Sequence, residues 1–72
     1  MPEPVVHSDP DILGGTPVFV GTRVPLRTLF DYLEEGATVV EFLDDFPTVS
    51  REQAIAALEE AKEAVLAHAR PA

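Results

Sequence analysis

The spacing of apolar residues changes near Pro25, and this change divides the chain into an extended part and a helical part. Before Pro25, short apolar runs lie between Gly, Pro, Ser and Asp residues, which favour turns. The β-branched and aromatic run at residues 18–20 lies between Gly15 and Gly21 and predicts a strand. A second short strand is expected at residues 5–6, so the first third of the chain is predicted to form a small β element.

From Pro25 onward the apolar residues follow a helical period. The first predicted helix has apolar residues at i, i+3, i+4 and i+7, namely Leu26, Leu29, Phe30 and Leu33. Pro25 fits the first helical position, and Gly36 fits the position just past the end. This spacing predicts a helix that begins at Pro25 and ends before Gly36.

Two capping boxes mark the starts of two further helices. Thr38 with Glu41 opens the second helix, which stops at Pro47, and Ser50 with Gln53 opens the third and longest helix. The predicted inward-facing residues are Val39, Phe42, Leu43 and Phe46 in the second helix, and Ala54, Ile55, Leu58, Ala61 and Val65 in the third.

The predicted fold class is therefore mainly α, with a short N-terminal β element followed by a three-helix bundle. We expect a flexible N-terminus at residues 1–4, a β element and dimerisation arm at 5–24, the helices at 25–69 and a tail at 70–72. The short connection at residues 47–49 is typical of a helix-turn-helix. The same layout also packs three helices in proteins that do not bind DNA, and the pattern leaves both alternatives open.

A phosphate-binding loop is one interpretation of the glycine-rich segment at residues 14–25. Such a loop would need a Lys after its glycines, and this segment has none. A dinucleotide-binding fingerprint would open a helix, whereas here an apolar run separates Gly15 from Gly21. The glycines are therefore interpreted as turns around a strand, and Pro17 predicts that this strand lies at an edge or begins there.

The size and charge of the chain narrow the function classes. The chain has 72 residues and no Cys, so disulfides are excluded and a partner chain is the expected source of extra stability. Thirteen acidic residues against five basic ones give a net charge of −8, which argues against a broad nucleic-acid surface and favours a basic partner. No apolar run of about 18 residues and no basic-then-apolar N-terminus is present, so we expect a cytoplasmic protein without a membrane segment.

Side chains suited to catalysis or metal binding are few and dispersed. They are two Asp pairs and two His residues: Asp9 with Asp11, Asp44 with Asp45, His7 and His68. The first pair flanks a Pro in a turn, the second ends a helix where solvation is expected, and the histidines lie near opposite ends of the chain. We therefore expect no enzyme activity, no cofactor, no metal and no small-molecule substrate.

The basic residues and their neighbours are the candidates for DNA contact. Arg51 and Gln53 lie in the first turn of the third helix, where a recognition helix would meet a groove, while Arg23 and Arg27 straddle the start of the first helix. Each has another interpretation: Gln53 completes its cap, and Arg23 braces the turn at residues 21–22 through carbonyl oxygens. Arg51 would then form a surface ion pair with one of three carboxylates, those of Glu52, Asp44 or Asp45.

The third helix also carries candidates for protein contact. Its outer face has an acidic row, Glu52, Glu59, Glu60 and Glu63, which is either solvated or attracts a basic protein. Residues 61–69 contain more apolar side chains than one small core can use, and Leu66 falls off the main stripe. The candidate contacts with a partner are Leu66, Val65, Glu59 and Glu63.

Two segments resemble the domain-of-unknown-function family numbered 433. They are DPDILGGTPVFVGTRVP at residues 9–25 and EFLDDFP at residues 41–47, accompanied by Leu33, Gly36, Ser50, Gln53, Ala57 and Leu58. The likeness covers nearly the whole chain, from about residue 6 to about residue 61, and the GTRVP segment followed by DFP makes it specific.

This resemblance implies a homeodomain-like helix-turn-helix fold and the role of an antitoxin. The implied partners are a small PIN-like ribonuclease toxin, operator DNA, and a second copy that pairs through the β segments. An exposed strand edge is a template for such pairing, which would place Val18, Phe19 and Val20 at the dimer interface. The alternative is a dimeric protein-interaction module that never contacts DNA, and the net charge weighs against the repressor role more than against toxin neutralisation.

Overall fold

The computed structural model describes residues 4–69, and its architecture confirms the predicted fold class. The elements in chain order are β1 (Val6–His7), a 3-10 turn (Leu13–Gly15), β2 (Val18–Phe19), α1 (Leu26–Glu34), α2 (Val39–Asp45) and α3 (Arg51–Ala67). The protein is thus mainly α, with a small N-terminal β element. Most of the N-terminal segment predicted at 1–4, and the tail predicted at 70–72, lie outside the described residues.

The β element is an antiparallel pair in which Val6 faces Phe19 and His7 faces Val18. The Val20 amide extends the pairing by donating to the Val5 carbonyl at 3.0 Å. The predicted strands are therefore present, but β1 lies one residue later than expected and β2 ends one residue earlier.

Both edges of β2 are occupied within the chain, which corrects the predicted dimer contact. On the side away from β1, Val18 bridges to Pro25, and the Phe19 amide donates to the Val24 carbonyl at 3.0 Å. The chain reverses tightly after β2 and returns along it before α1 begins. The strand edge at residues 18–20 is therefore not available to a second copy, and within residues 4–69 it is β1 that has an outer edge without a strand partner.

The helix caps follow the sequence closely. The hydroxyl oxygens of Thr38 and Ser50 each accept a hydrogen bond from the amide three residues later, at 3.1 Å in both cases. Pro25 is the N-cap of α1 and not its first helical residue, because its backbone is still extended. Gly36 has φ of 91°, the left-handed conformation that commonly ends a helix.

The core lies between the β element and the three helices. Its buried cluster consists of Phe19, Val24, Leu29, Phe42, Val49, Ala54 and Ala57. Phe42 joins the layers, since its ring packs against those of Phe19, Tyr32 and Phe46 at centroid distances of 5.2–6.1 Å.

The face that α3 buries is narrower than predicted. Its fully buried residues are the small Ala54 and Ala57. Ile55 was expected to point inward but is 41% exposed, because it lies about 100° around the helix axis from Ala54. Val65 was also expected in the core, and it is 71% exposed because that part of α3 extends past the body of the protein. The helix ends at Ala67, two residues earlier than expected.

Candidate partner-binding surfaces

An open groove of about 590 Å³ lies between the β element and the connection from α2 to α3. Residues 21–25 line one side, and Phe46 and Thr48 line another, with His7 and Ile12 completing the walls. The GTRVP segment and the end of the DFP segment are more than twenty residues apart in sequence, and the fold brings them together here. We call this site the groove.

The turn that forms one wall of the groove is held by Thr22. This side chain is buried, and its hydroxyl donates to the Phe19 carbonyl at 2.9 Å while accepting from the Val24 amide at 3.0 Å. Gly21 supplies the left-handed backbone that the reversal needs, with φ of 80°. Thr22 and not Arg23 therefore braces this turn, because its short side chain bonds to both β2 and the segment that returns along it.

Arg23 is consequently left exposed on the groove wall. Within residues 4–69 it donates no hydrogen bond to a carbonyl and forms no ion pair, which corrects the interpretation of Arg23 as a brace. The guanidinium is therefore available to a carboxylate of another molecule.

Gln53 has both ends of its amide committed to the chain itself. The side-chain oxygen accepts from the Ser50 amide at 2.9 Å and completes the capping box of α3. The side-chain nitrogen donates to the Val20 carbonyl, also at 2.9 Å, across 33 positions of sequence. Gln53 thus ties the start of α3 to the β element, and these two bonds fix the position of its side chain.

The remaining basic candidates differ in their surroundings. Arg27 forms an exposed i,i+4 ion pair with Asp31 at 3.8 Å, a type of contact that adds little stability. Arg51 is exposed, and in the described part of the chain it pairs with no carboxylate, so the predicted ion pair with Glu52, Asp44 or Asp45 is not found. Among the three arginine candidates for DNA contact, Arg51 is the one that lies in the first turn of a helix and has no ion pair within residues 4–69.

Asp45 is not simply solvated, as was expected for the end of α2. Its carboxylate accepts a hydrogen bond from the Tyr32 hydroxyl at 2.7 Å, which links α1 to α2. This hydrogen bond is the largest cause of a Tyr32 pKa above its ordinary value of 10.0, since it favours the protonated phenol.

The C-terminal part of α3 projects beyond the core. We call residues 62–67 the α3 arm, and every one of them is exposed. Val65 continues the stripe that packs inward earlier in the helix, but no part of residues 4–69 covers it. Leu66 is 64% exposed on a different face, as the sequence pattern indicated.

The outer face of α3 combines acidic and apolar residues. Ile55 and Leu66 are eleven positions apart and share one face, with the acidic row alongside: Glu52, Glu59, Glu60 and Glu63, all exposed. Lys62 pairs with Glu59 at 3.6 Å and offsets one of these charges. Such a surface repels a DNA backbone and suits a protein partner.

No group of three or more His, Asp and Glu side chains in residues 4–69 is arranged to hold a metal ion. The two histidines are placed apart, His7 on the groove wall and His68 at the C-cap of α3. Over the same residues, no helix has both the length and the apolar composition needed to cross a membrane.

Comparison with known proteins identifies one relative and one family that match this chain. An uncharacterized protein of Sinorhizobium fredii, y4eO, is 43% identical over 49 residues. The aligned part is 68% of this chain and 22% of that protein, so the chain spans about a fifth of the length of the curated relative it matches. No solved structure matches the chain significantly.

The family match covers the folded body described above. The DUF433 family, described as a protein of unknown function, matches residues 6–61, from β1 to the point where α3 leaves the core. Both motif segments, the β element and the two capping boxes fall inside this range. The chain belongs to the DUF433 family of proteins of unknown function.

Proposed function

We propose that this protein is the antitoxin of a type II toxin–antitoxin pair and neutralises a small PIN-like ribonuclease. The observation that carries the proposal is the α3 arm, which exposes Val65 and Leu66 beyond a core that is complete without them. Isolated exposed apolar side chains are common, whereas apolar surface that is grouped and rimmed by polar residues marks a protein contact. The resemblance of the motif segments to the DUF433 family, which implies an antitoxin, supports the same role.

The acidic residues in the arm and in the helical turn before it favour a basic partner surface. Glu59 and Glu63 lie one turn apart on α3, and with a net charge of −8 the whole protein attracts a positively charged surface over long range. A ribonuclease that binds an RNA backbone carries such a surface. In this proposal, the apolar pair supplies the buried centre of the contact and the carboxylates supply its rim.

The resemblance also implies repression of the protein's own operon, and Arg51 is the observation that favours it. Arg51 begins the helix that would enter a groove, and it is not held by an ion pair in the described chain. Against this role stand the acidic outer face of α3 and the structural commitment of Gln53. The alternative to the repressor is a dimeric interaction module that does not bind DNA.

Neutralisation is tested by isolating the partner and measuring its activity. The tagged protein is used to recover bound proteins from its native host, and the recovered nuclease is purified and assayed on RNA with added antitoxin. We expect stoichiometric inhibition by the natural protein and loss of inhibition by the double variant Val65→Asp, Leu66→Asp.

Val40→Asp is the matched control, because Val40 is 61% exposed on α2 and lies away from the arm. It should inhibit as well as the natural protein does. Equal inhibition by the arm variant would exclude the arm as the contact, and the absence of any bound nuclease would contradict the antitoxin role.

The DNA role is tested separately by charge reversal at Arg51. If the protein represses its operon, Arg51→Glu should abolish the gel shift of a DNA fragment from upstream of its gene, while nuclease inhibition persists. If the natural protein itself does not shift this fragment at physiological salt, the interaction module without DNA binding is favoured.

A further inference from the structure

The groove differs in chemical character from the rest of this acidic chain. None of the residues that line it is Asp or Glu, although the chain has a net charge of −8. Its walls carry Arg23 and His7, and its surface is largely apolar, with Ile12, Val24 and Phe46 among the contributors. A segment with apolar side chains and a nearby carboxylate would complement it.

The α3 arm has this complementary chemistry. Val65 and Leu66 are exposed, and Glu63 precedes them by less than one helical turn. Glu59 is paired with Lys62, whereas Glu63 has no ion pair among residues 4–69. The arm therefore carries an unpaired carboxylate, and the groove carries the unpaired guanidinium of Arg23. The two surfaces have opposite charge, and both are partly apolar.

The arm cannot reach the groove of its own chain. Thr48, on the groove wall, comes three positions before Arg51, where α3 begins. Val65 is fourteen positions further along the helix, which corresponds to about 21 Å of rise. Because α3 is continuous over this distance, an arm that occupies a groove must come from another molecule.

We propose that two copies of this protein exchange their α3 arms, so that the arm of each copy lies in the groove of the other. The two contacts are equivalent under a two-fold axis, which closes the assembly at a dimer. The exchange covers the apolar surfaces of the arm and the groove, and it supplies the partner that a small domain without Cys needs. The contact involves Arg23 and the arm, and it leaves β2 inside its own chain.

This inference does not rest on the proposed function, since its test needs only the protein itself. If both are correct, the arm is shared, so exchange between copies and binding of the nuclease exclude each other. Failure of the exchange would leave neutralisation untouched, and failure to find a nuclease would leave the exchange untouched.

The first experiment measures the dimer dissociation constant of the full chain by sedimentation equilibrium. We expect the natural protein to dimerise, and we expect both Arg23→Glu and the double variant Val65→Asp, Leu66→Asp to weaken the dimer at least tenfold. Arg27→Glu is the matched control, because it makes the same charge change outside the groove and should leave the constant within twofold. Circular dichroism checks that each variant keeps its helix content.

Mixing the two weakened variants distinguishes arm exchange from other dimers. Arg23→Glu keeps a natural arm, and the double variant Val65→Asp, Leu66→Asp keeps a natural groove. One intact arm–groove contact therefore forms only between the two variants. Native mass spectrometry of an equimolar mixture should show a mixed dimer more abundant than either variant's own dimer.

Each other outcome overturns the proposal. A natural protein that stays monomeric at high micromolar concentration excludes the exchange. A dimer that resists both variants points to pairing along the free edge of β1. A third outcome is that Arg23→Glu leaves the dissociation constant unchanged, the arm variant weakens the dimer and no mixed dimer forms. This outcome would show that the two copies contact each other through their arms.

Discussion

Thr22 shows how a single hydroxyl can fix the most distinctive segment of the chain. It is buried and bonds to a backbone group on either side of the turn, so one side chain holds β2 and the returning segment at hydrogen-bond distance. Because Thr22 already holds the turn, the side chain of Arg23 is not needed to stabilise it. This explains why Arg23 is free on the wall of the groove.

Replacing Thr22 with Val should destabilise the fold by about 1–3 kcal/mol, because it leaves the buried Val24 amide without its acceptor. Thr22→Ser keeps the hydroxyl and should cost clearly less. Urea denaturation followed by circular dichroism measures both variants. Equal losses for Val and Ser would show that the methyl group, and not the hydrogen bonds, stabilises the turn.

The Tyr32–Asp45 hydrogen bond provides a spectroscopic probe of how α1 and α2 are joined. Tyr32 is the one Tyr of the chain, so the ultraviolet absorbance of phenolate reports its titration directly. Its pKa should lie above 10.0 and fall toward that value in Asp45→Asn, because the hydrogen bond to Asp45 is the largest cause of the rise, ahead of desolvation, and the charge of Asp45 adds to it. Glu35→Gln should lower the pKa less, since Glu35 is the weakest cause.

The same shift has a defined sign for stability. Because the folded pKa is raised, the contribution of this bond is complete below about pH 10 and is lost as the pH rises through the folded pKa. Unfolding followed from pH 8 to pH 11 should therefore show a loss that Asp45→Asn reduces. An Asp45→Asn titration that matches the natural protein would contradict the contact.

The joint between α3 and the β element depends on Gln53. Gln53→Ala removes the side-chain half of the capping box and the bond to Val20, and it should cost about 1–3 kcal/mol in the free energy of unfolding. Gln53→Glu keeps an acceptor for the cap but removes the donor to Val20, so it isolates the tie between the elements. If Gln53→Glu is as stable as the natural protein, the hydrogen bond from Gln53 to Val20 contributes nothing to the free energy of unfolding.

Phe42 joins α2 to the elements beside it by side-chain packing. It is fully buried and contacts aromatic rings from β2, from α1 and from Phe46, the C-cap residue of α2. Phe42→Ala should cost about 3–5 kcal/mol, enough to unfold a large fraction of so small a domain at room temperature. Val40→Ala, at an exposed position of the same helix, should leave the thermal midpoint nearly unchanged.

The molecule as a whole consists of a folded body and a projecting arm. The family match ends at residue 61, and the arm adds no residue to the buried cluster. A chain that ends at Ala61 should therefore lose less than about 1 kcal/mol of stability, since exposed residues away from packing contribute little. It should also lose both dimerisation and nuclease inhibition.

A large fall in the urea midpoint of this truncated chain would show that the arm belongs to the folding unit. Retained dimerisation or retained inhibition would show that the contacts lie elsewhere. The chain truncated at Ala61 but carrying Thr22→Val serves as the unstable comparison, because it loses the hydrogen bonds of the turn as well as the arm.

The sequence by itself determined the elements, because their signals act over three or four residues. The capping boxes at Thr38 and Ser50 use bonds between near neighbours, and Gly36 ends α1 through its own backbone freedom. The surplus apolar residue Leu66 was also visible, since the helical period alone places it off the inward stripe. Each of these features follows from local geometry.

Only the tertiary structure decided which surfaces are free. A strand that begins at Val18 was correctly expected, but its edges are filled by segments whose return path no local pattern specifies. The bond from Gln53 to Val20 and the meeting of Arg23 with Phe46 in one groove join residues more than twenty positions apart. Ile55 and Val65 fit the inward stripe by period, yet the narrow contact of α3 and the limited extent of the core leave them exposed. Burial depends on what lies opposite a residue, and the packing of the whole chain supplies that.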